Sequence, residues 1–388
     1  MRRRTLPTAL IFSLSIIPAT AQIAWATVHF QGLGFAPGAE NESYSFDISG
    51  DGSTVTAWAH GAAGGLATRW TASTGMVSLS SPDHLARGWA TGASFDGSII
   101  TGFDLEVAFR WTATTGATPL HVQSQAISSS YAFDVSADGS VIVGYANSNY
   151  WLMDGTPFIW TETNGMSLLD PSPAGYSDGI AFSVSSDGTV LVGRLQTFDP
   201  QFPDFAEGEA FYWSPEAGFV TLGQLNPSDA YLDSFAYGVS HDGSVIVGYA
   251  YSTNHRREAF RWTAAGGMQG LGFLPGGGGT SYAFDCSEDG SVVVGRSSSA
   301  SGNDVFVWDA TYGMRSLTDI LTSSGVDLTG WQLNAATGVY VSADGTRITA
   351  MGINPSGQAE AWLAVIPEPA TLSLLMTALP FLGRRRVA

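Results

Sequence analysis

The chain contains no lysine. Its 16 basic residues are all arginine, and six of them (Arg2, Arg3, Arg4, Arg384, Arg385 and Arg386) lie at the two ends. Between residues 27 and 366 ten arginines face 33 acids, a formal charge of about −23, which excludes nucleic acid or an anionic membrane surface as a general partner of that body. A single cysteine, Cys286, excludes an internal disulfide, so stability must come from burial rather than covalent staples. Charged residues make up only 13% of the 388 and no long amphipathic helix is visible, which points away from helical bundles. The six histidines (His29, His60, His84, His121, His241, His255) show no metal-ligand spacing. No nucleophile elbow is present, and the glycine run Gly276 to Gly279 lacks the Lys-Ser/Thr of a phosphate loop. No cofactor and no metal is therefore expected.

What the chain does contain is repetition. Trp70, Trp111, Trp160, Trp213, Trp262 and Trp308 are each followed by Gly at the fifth position and Leu at the ninth. Upstream of each stands an Asp-Gly pair, beginning at Asp51, Asp96, Asp138, Asp187, Asp242, Asp289 and Asp344, with Trp362 read as closing the seventh unit. Self-similarity at about 40 to 50 residues marks propeller blades or stacked arrays. Four strands are expected per unit. The first carries an aromatic five residues before Asp-Gly, as at Phe133, Tyr237 and Phe284, and Asp-Gly makes a hairpin turn. The second is a β-branched run such as Val141-Ile142-Val143, ending at a small residue: Ala57, Gly102, Gly144, Gly193, Gly248, Gly295 or Ala350. That small residue suggests tight packing between neighbouring sheets. The Trp segment and the Gly-Met-x-x-Leu segment supply the third and fourth strands.

Phe30-Gln31-Gly32-Leu33-Gly34-Phe35 reproduces Met268-Gln269-Gly270-Leu271-Gly272-Phe273 at an offset of 238, so the body begins with a segment that elsewhere follows the Trp. The last unit lacks that segment. The expectation is an all-β fold, a seven-bladed β-propeller over residues 27–366 with four strands per blade, closed by the N-terminal strand pairing with the C-terminal blade. Unit lengths vary chiefly after the small residue and after the Leu, and in repeat folds insertions gather on one face, often the binding face.

The ends read as sorting signals. Residues 1–26 combine an Arg cluster, an apolar run and the small-x-small site Ala24-Trp25-Ala26, the layout of a secretory signal peptide. Residues 367–388 combine Pro367-Glu368-Pro369, the apolar stretch Ala370 to Leu382 and the terminal Arg384, Arg385 and Arg386. Thirteen apolar residues span about 20 Å as a helix, short of the ~30 Å hydrocarbon core, so the tail engages a membrane only transiently. This tail resembles the PEP-CTERM sorting signal of Gram-negative bacteria. The resemblance implies an exosortase-type processing protease as partner and delivery to the exterior or cell surface, alongside exopolysaccharide.

The body, best seen in Ala259 to Gly295 and in the closing run from Gly330-Trp331-Gln332-Leu333 to Ala361-Trp362, resembles the HAF-type extracellular repeat. Thr115-Gly116-Ala117 departs modestly from its Gly-Met pattern. The resemblance implies an exported propeller-like protein and brings no catalytic residue with it.

Three chemical readings remain. Asp47-x-Ser49-x-Asp51-Gly52, Asp134-x-Ser136-x-Asp138-Gly139 and Asp285-x-Ser287-x-Asp289-Gly290 space oxygens like the start of a calcium loop, but Trp58, Tyr145 and Arg296 stand where its bidentate Glu belongs, which favours a hairpin turn. The fixed register of the Trp series favours core packing over sugar stacking, and Cys286 reads as a small buried hydrophobe. The functional expectation is a non-enzymatic extracellular protein that binds exopolysaccharide or another surface protein. Its alternative is a polysaccharide hydrolase or lyase using acids such as Asp199, Asp204, Glu207 or Glu209 at a channel mouth.

Overall fold

Seven four-stranded antiparallel sheets follow one another along the chain in the computed structural model, which describes residues 28–61, 64–79, 88–121, 127–147, 155–169, 176, 178–196, 208–228, 233–253, 255–334 and 337–367. The third sheet is representative: Ser129–Val135 is innermost, followed outward by Val141–Asn147, Thr156–Thr161 and Gly165–Leu168. The other innermost strands are Ala39–Ile48, Gly88–Ala93, Asp178–Val184, Ser234–Val239, Ser281–Cys286 and Tyr340–Val341. The seventh blade takes His29–Gly32 as its outermost strand, with Phe30 opposite Ala364 and Gly32 opposite Trp362. The expected closure is present, and the protein is a seven-bladed β-propeller.

Two devices join blade to blade. Around one end of the central channel a ring of seven backbone hydrogen bonds of 2.9 to 3.2 Å ends on the carbonyl of the residue between Ser and Asp-Gly, donated by the equivalent residue in five blades and by Asp51 and Asp187 in the other two; Phe95 N–H donates to Ala137 O, and Ala343 N–H donates to Gly50 O across the closure. Farther along the inner strands, Ser43, Ser130, Ser234 and Ser281 each accept through Oγ a backbone N–H from the third strand of the preceding blade, at 2.9 to 3.0 Å. These bonds satisfy N–H groups that would otherwise be buried without partners.

The small residue at the end of the second strand is required for a different reason than the sequence suggested. A Cβ on Gly102, Gly144, Gly193, Gly248 or Gly295 would lie less than 3.0 Å from the carbonyl oxygen of Trp89, Tyr131, Ile180, Phe235 or Tyr282. The crowding is therefore inside each blade, where the inner strand bulges, not between neighbouring sheets. On the other side each of these glycines faces a buried Phe of the third strand: Phe109, Phe158, Phe211, Phe260 or Phe306.

That register corrects the reading of Trp362. It pairs with Ala350 and Gly32, as Phe260 pairs with Gly248 and Gly270, whereas the repeated Trp262 pairs with Ile246 and Met268. Trp362 thus occupies the Phe position, fully buried, and Ala364 the Trp position. Phe30 fills the space, packing edge-on against Trp331 at 5.0 Å and against Trp362 at 5.7 Å. The insertion after the sixth blade also carries one short helix, Leu317–Ser323, capped by Ser316, whose Oγ accepts from Asp319 N–H at 3.1 Å.

Candidate functional site

The two ends of the channel differ in chemistry. All seven Asp-Gly turns lie at one end, because each joins the innermost strand to the second. There the Ser hydroxyl donates to Asp Oδ1 at 2.6 to 3.1 Å, and the same Oδ1 accepts the N–H two residues on. The turn glycines have φ between 64° and 75°. Asp138 is held below the usual carboxylate range by the Ser140 N–H and hydroxyl.

The Asp-x-Ser-x-Asp-Gly segments fold as hairpin turns, the arrangement the sequence favoured over a calcium loop. Asp51, Asp138 and Asp289 hold their own turns, while Asp47, Asp134 and Asp285 point into the channel and bind the next blade. Asp47 Oδ2 accepts Ala93 N–H at 2.8 Å, Asp134 Oδ2 accepts Val184 N–H at 2.9 Å and Ser183 Oγ at 2.7 Å, and Asp285 Oδ2 accepts Val341 N–H at 2.9 Å. Among the described residues no three His, Cys, Asp or Glu come within reach of one metal ion.

Around the axis the seven equivalent positions are Asp47, Gly92, Asp134, Ser183, Gly238, Asp285 and Tyr340. The two glycines let the following blade approach: a Cβ on Gly92 would be 2.9 Å from Asp134 Cα, and one on Gly238 2.9 Å from Asp285 Cα. The three carboxylates line a cavity of about 100 Å³, room for a few waters. Burial raises all three. Asp285 is pushed up to about 7, and Asp47 well above the ordinary value by burial and then by the charges of Asp134 and Asp285. Cys286, 6% exposed, is driven up by burial and then by Asp285, as expected of an inert thiol.

The opposite end is aromatic. Cross-strand pairs of the innermost and second strands, one register step from the small residue, face this mouth: Tyr44 with Trp58, Trp89 with Phe103, Tyr131 with Tyr145, Ile180 with Arg194, Phe235 with Tyr249, and Tyr282 with Arg296. Together with Phe133, Phe182, Tyr237 and Phe284, the residues at the bulges of the third to sixth blades, they form an unbroken arc from the first blade to the sixth. Trp58 stacks on Trp89 (6.4 Å), Trp89 on Phe103 (5.0 Å), Phe103 meets Phe133 (6.3 Å), and contacts continue through Phe182 (5.7 Å), Tyr237 (5.2 Å) and Phe284 (5.4 Å). Most of these rings are half-buried. Arg194 lies over Phe235 and Arg296 over Tyr282, each at 4.6 Å, and Arg194 is paired with Asp233 at 2.9 Å.

The connections between second and third strands, and those between blades, leave from this same end, so the face where insertions gather is the aromatic mouth. Of the acids proposed for catalysis, Asp199, Asp204 and Glu207 lie outside the described residues. Glu209 accepts from the Tyr176 hydroxyl and from Gln224 Nε2, away from the channel carboxylates. Of the sorting residues, Pro367 is buried at the end of the last blade, whereas Glu368, Pro369, Arg384, Arg385 and Arg386 lie outside the described residues. The aromatic and arginine mouth was missed in sequence. Its signal was the residue after the small one, which reads Trp58, Phe103, Tyr145, Arg194, Tyr249, Arg296 and Met351 through the seven units.

Fold and mouth together define a propeller with one acidic and one aromatic end. No family model and no curated protein sequence matches the chain. Among solved structures it is similar to an oligogalacturonate lyase in complex with manganese, at 12% identity and a TM-score of 0.58, covering 88% of this chain and 97% of that one. A second oligogalacturonate lyase, from Vibrio parahaemolyticus, matches at 12% identity and a TM-score of 0.58, covering 88% and 98%. At such identity the likeness is one of fold alone.

Proposed function

We propose that this chain is an exported, non-enzymatic propeller that presents its aromatic mouth to an extracellular polysaccharide. The observation that carries the reading is the arc of half-buried rings, held in one register by five cross-strand aromatic or arginine-aromatic pairs and lying on the face where the longer connections gather. Flat rings fixed by strand pairing offer apolar faces to sugar rings at little entropic cost, and a concave aromatic surface of this kind is a usual ligand site. The terminal layouts support export: residues 1–26 act as signal peptide, and residues 367–388 are handled by an exosortase-type protease at the cell surface.

The test is binding of purified protein to polysaccharide by affinity electrophoresis, with Trp58→Ala, Trp89→Ala and Tyr131→Ala variants whose melting temperatures are measured in parallel. Retardation that weakens in these variants while folding persists supports the reading. The fold neighbours are named as lyases of oligogalacturonate, so the same samples are assayed for new reducing ends. Chain cleavage by the purified protein would replace the binding reading with the enzymatic one.

A further inference from the structure

Resting on that polysaccharide-binding reading, we infer that the first-blade corner of the aromatic mouth is a subsite for the protonated amine of an amino sugar. Three rings form its wall: Tyr44 meets Trp58 at 5.4 Å, and Trp58 stacks on Trp89 of the second blade at 6.4 Å. A Cβ on Gly65 would overlap Trp58 Nε1, so glycine is what lets the indole rest on the returning strand. That N–H is buried without a partner among the described residues, a cost borne by holding the ring in this place.

Two carboxylates stand beside this wall. Ala39 pairs with Gly61 and Ser43 with Ala59, four steps on one strand against two on the other, so Glu40, Asn41 and Glu42 bulge out of the ladder with Asn41 at φ 49°. The bulge brings both glutamates to His60, whose Nδ1 lies 3.4 Å from Glu40 Oε2 and 3.9 Å from Glu42 Oε2 and whose ring stacks on Trp58 at 5.6 Å. Burial and then the charge of Glu42 raise the Tyr44 hydroxyl, which ties that carboxylate to the same rings. Beyond His60 neither glutamate has a hydrogen-bond or ion-pair partner among the described residues, and both side chains are about half exposed. The described arginines of these two blades, Arg69 and Arg110, pair with Thr56 and Thr101, one register step past the small residue toward the Asp-Gly end. An ammonium group carries three N–H donors and is attracted to a ring face, so it answers both carboxylates and the ring wall at once. The formal charge of about −23 on the body favours the approach of the same ligand. The ligand class is therefore a polysaccharide bearing free amino groups.

The experiment titrates the β-1,4-linked glucosamine trimer with its amines protonated, its fully N-acetylated form and cellotriose against the parent protein by calorimetry. The same titrations are run on Glu40→Gln, Glu42→Gln, the double variant and Glu216→Gln, which removes an exposed charge from the turn between Gly208–Ser214 and Gly218–Thr221 at the Asp-Gly end. The parent is expected to bind the amine trimer more tightly than either neutral one. Each mouth variant should weaken that binding about two- to fivefold and the pair about tenfold, with the neutral trimers and Glu216→Gln unaffected. Neutral trimers that bind the parent as tightly as the amine trimer overturn the subsite without recourse to any variant. A folded double variant that binds like the parent, or a Glu216→Gln protein weakened as much as the mouth variants, overturns it too, the latter by assigning the attraction to the charge of the whole body. Each of these results leaves the polysaccharide reading standing. If none of the three trimers binds, that underlying reading falls for these glycans and the subsite falls with it.

Discussion

Asp285 should make the propeller less stable as pH rises through neutrality. Its folded value near 7 lies above the ordinary 3.8, because burial disfavours the charge more than the Val341 and Cys286 N–H groups stabilise it. Between those two values the folded state holds a proton that the unfolded chain has lost, so stability falls as pH increases. With a folded value of about 7, the loss between about pH 5 and pH 8 comes to roughly 2 to 3 kcal/mol, or about 3 to 5 °C in melting temperature for a domain this large. Asp47 and Asp134 are raised in the same sense and steepen the slope. Asp285→Asn carries no charge, and its single carbonyl oxygen replaces two acceptors. It should therefore be less stable than the parent at pH 5 by about 1 to 3 kcal/mol, yet show a flatter pH profile. Calorimetric scans of both proteins from pH 5 to 8 measure the difference directly and cancel the histidines they share. Parallel profiles would refute the assignment of a buried, protonated carboxyl at this position.

At the acid limb the sign reverses: Asp96, Asp138 and Asp242 are held low by their turn hydroxyl and N–H donors, so stability should also fall below about pH 4, seen as a drop in melting temperature between pH 4 and pH 2. Gly144→Ala should cost several kcal/mol, on the order of 2 to 4, because its Cβ meets a backbone carbonyl that cannot rotate away; urea unfolding would measure it. Phe30→Ala should cost about 2 to 4 kcal/mol by opening the seam packed on Trp331 and Trp362, and an unchanged melting temperature would contradict closure by the N-terminal strand. Millimolar calcium should leave the melting temperature of the parent unchanged, since Asp47, Asp134 and Asp285 spend their oxygens on neighbouring blades; a rise of several degrees would restore the calcium loop.

The blade count, strand order and closure were legible in the sequence because each rests on local, repeated chemistry. Asp-Gly sets a turn, β-branched runs set strands, and the match of Phe30 to Phe35 with Met268 to Phe273 shows that the chain starts mid-blade. The face that gathers insertions could be read as well, from where unit lengths vary. The partner of each contact could not. Gly144 is small because of the Tyr131 carbonyl in its own blade, and Trp362 stands two residues out of the Trp register, which only the pairing with Gly32 and Ala350 reveals. Asp47, Asp134 and Asp285 look like turn residues along the chain, yet ring closure turns one register position of every blade toward a common axis. There they share one cavity and shift one another's protonation. Likewise Arg257, Arg296 and Tyr282 belong to different strands, and strand pairing within and between blades brings the Arg296 guanidinium over the Tyr282 ring and that of Arg257 to its hydroxyl. Periodicity along the chain specifies which positions are equivalent; the curvature that closes the seven sheets into a ring decides which of them meet.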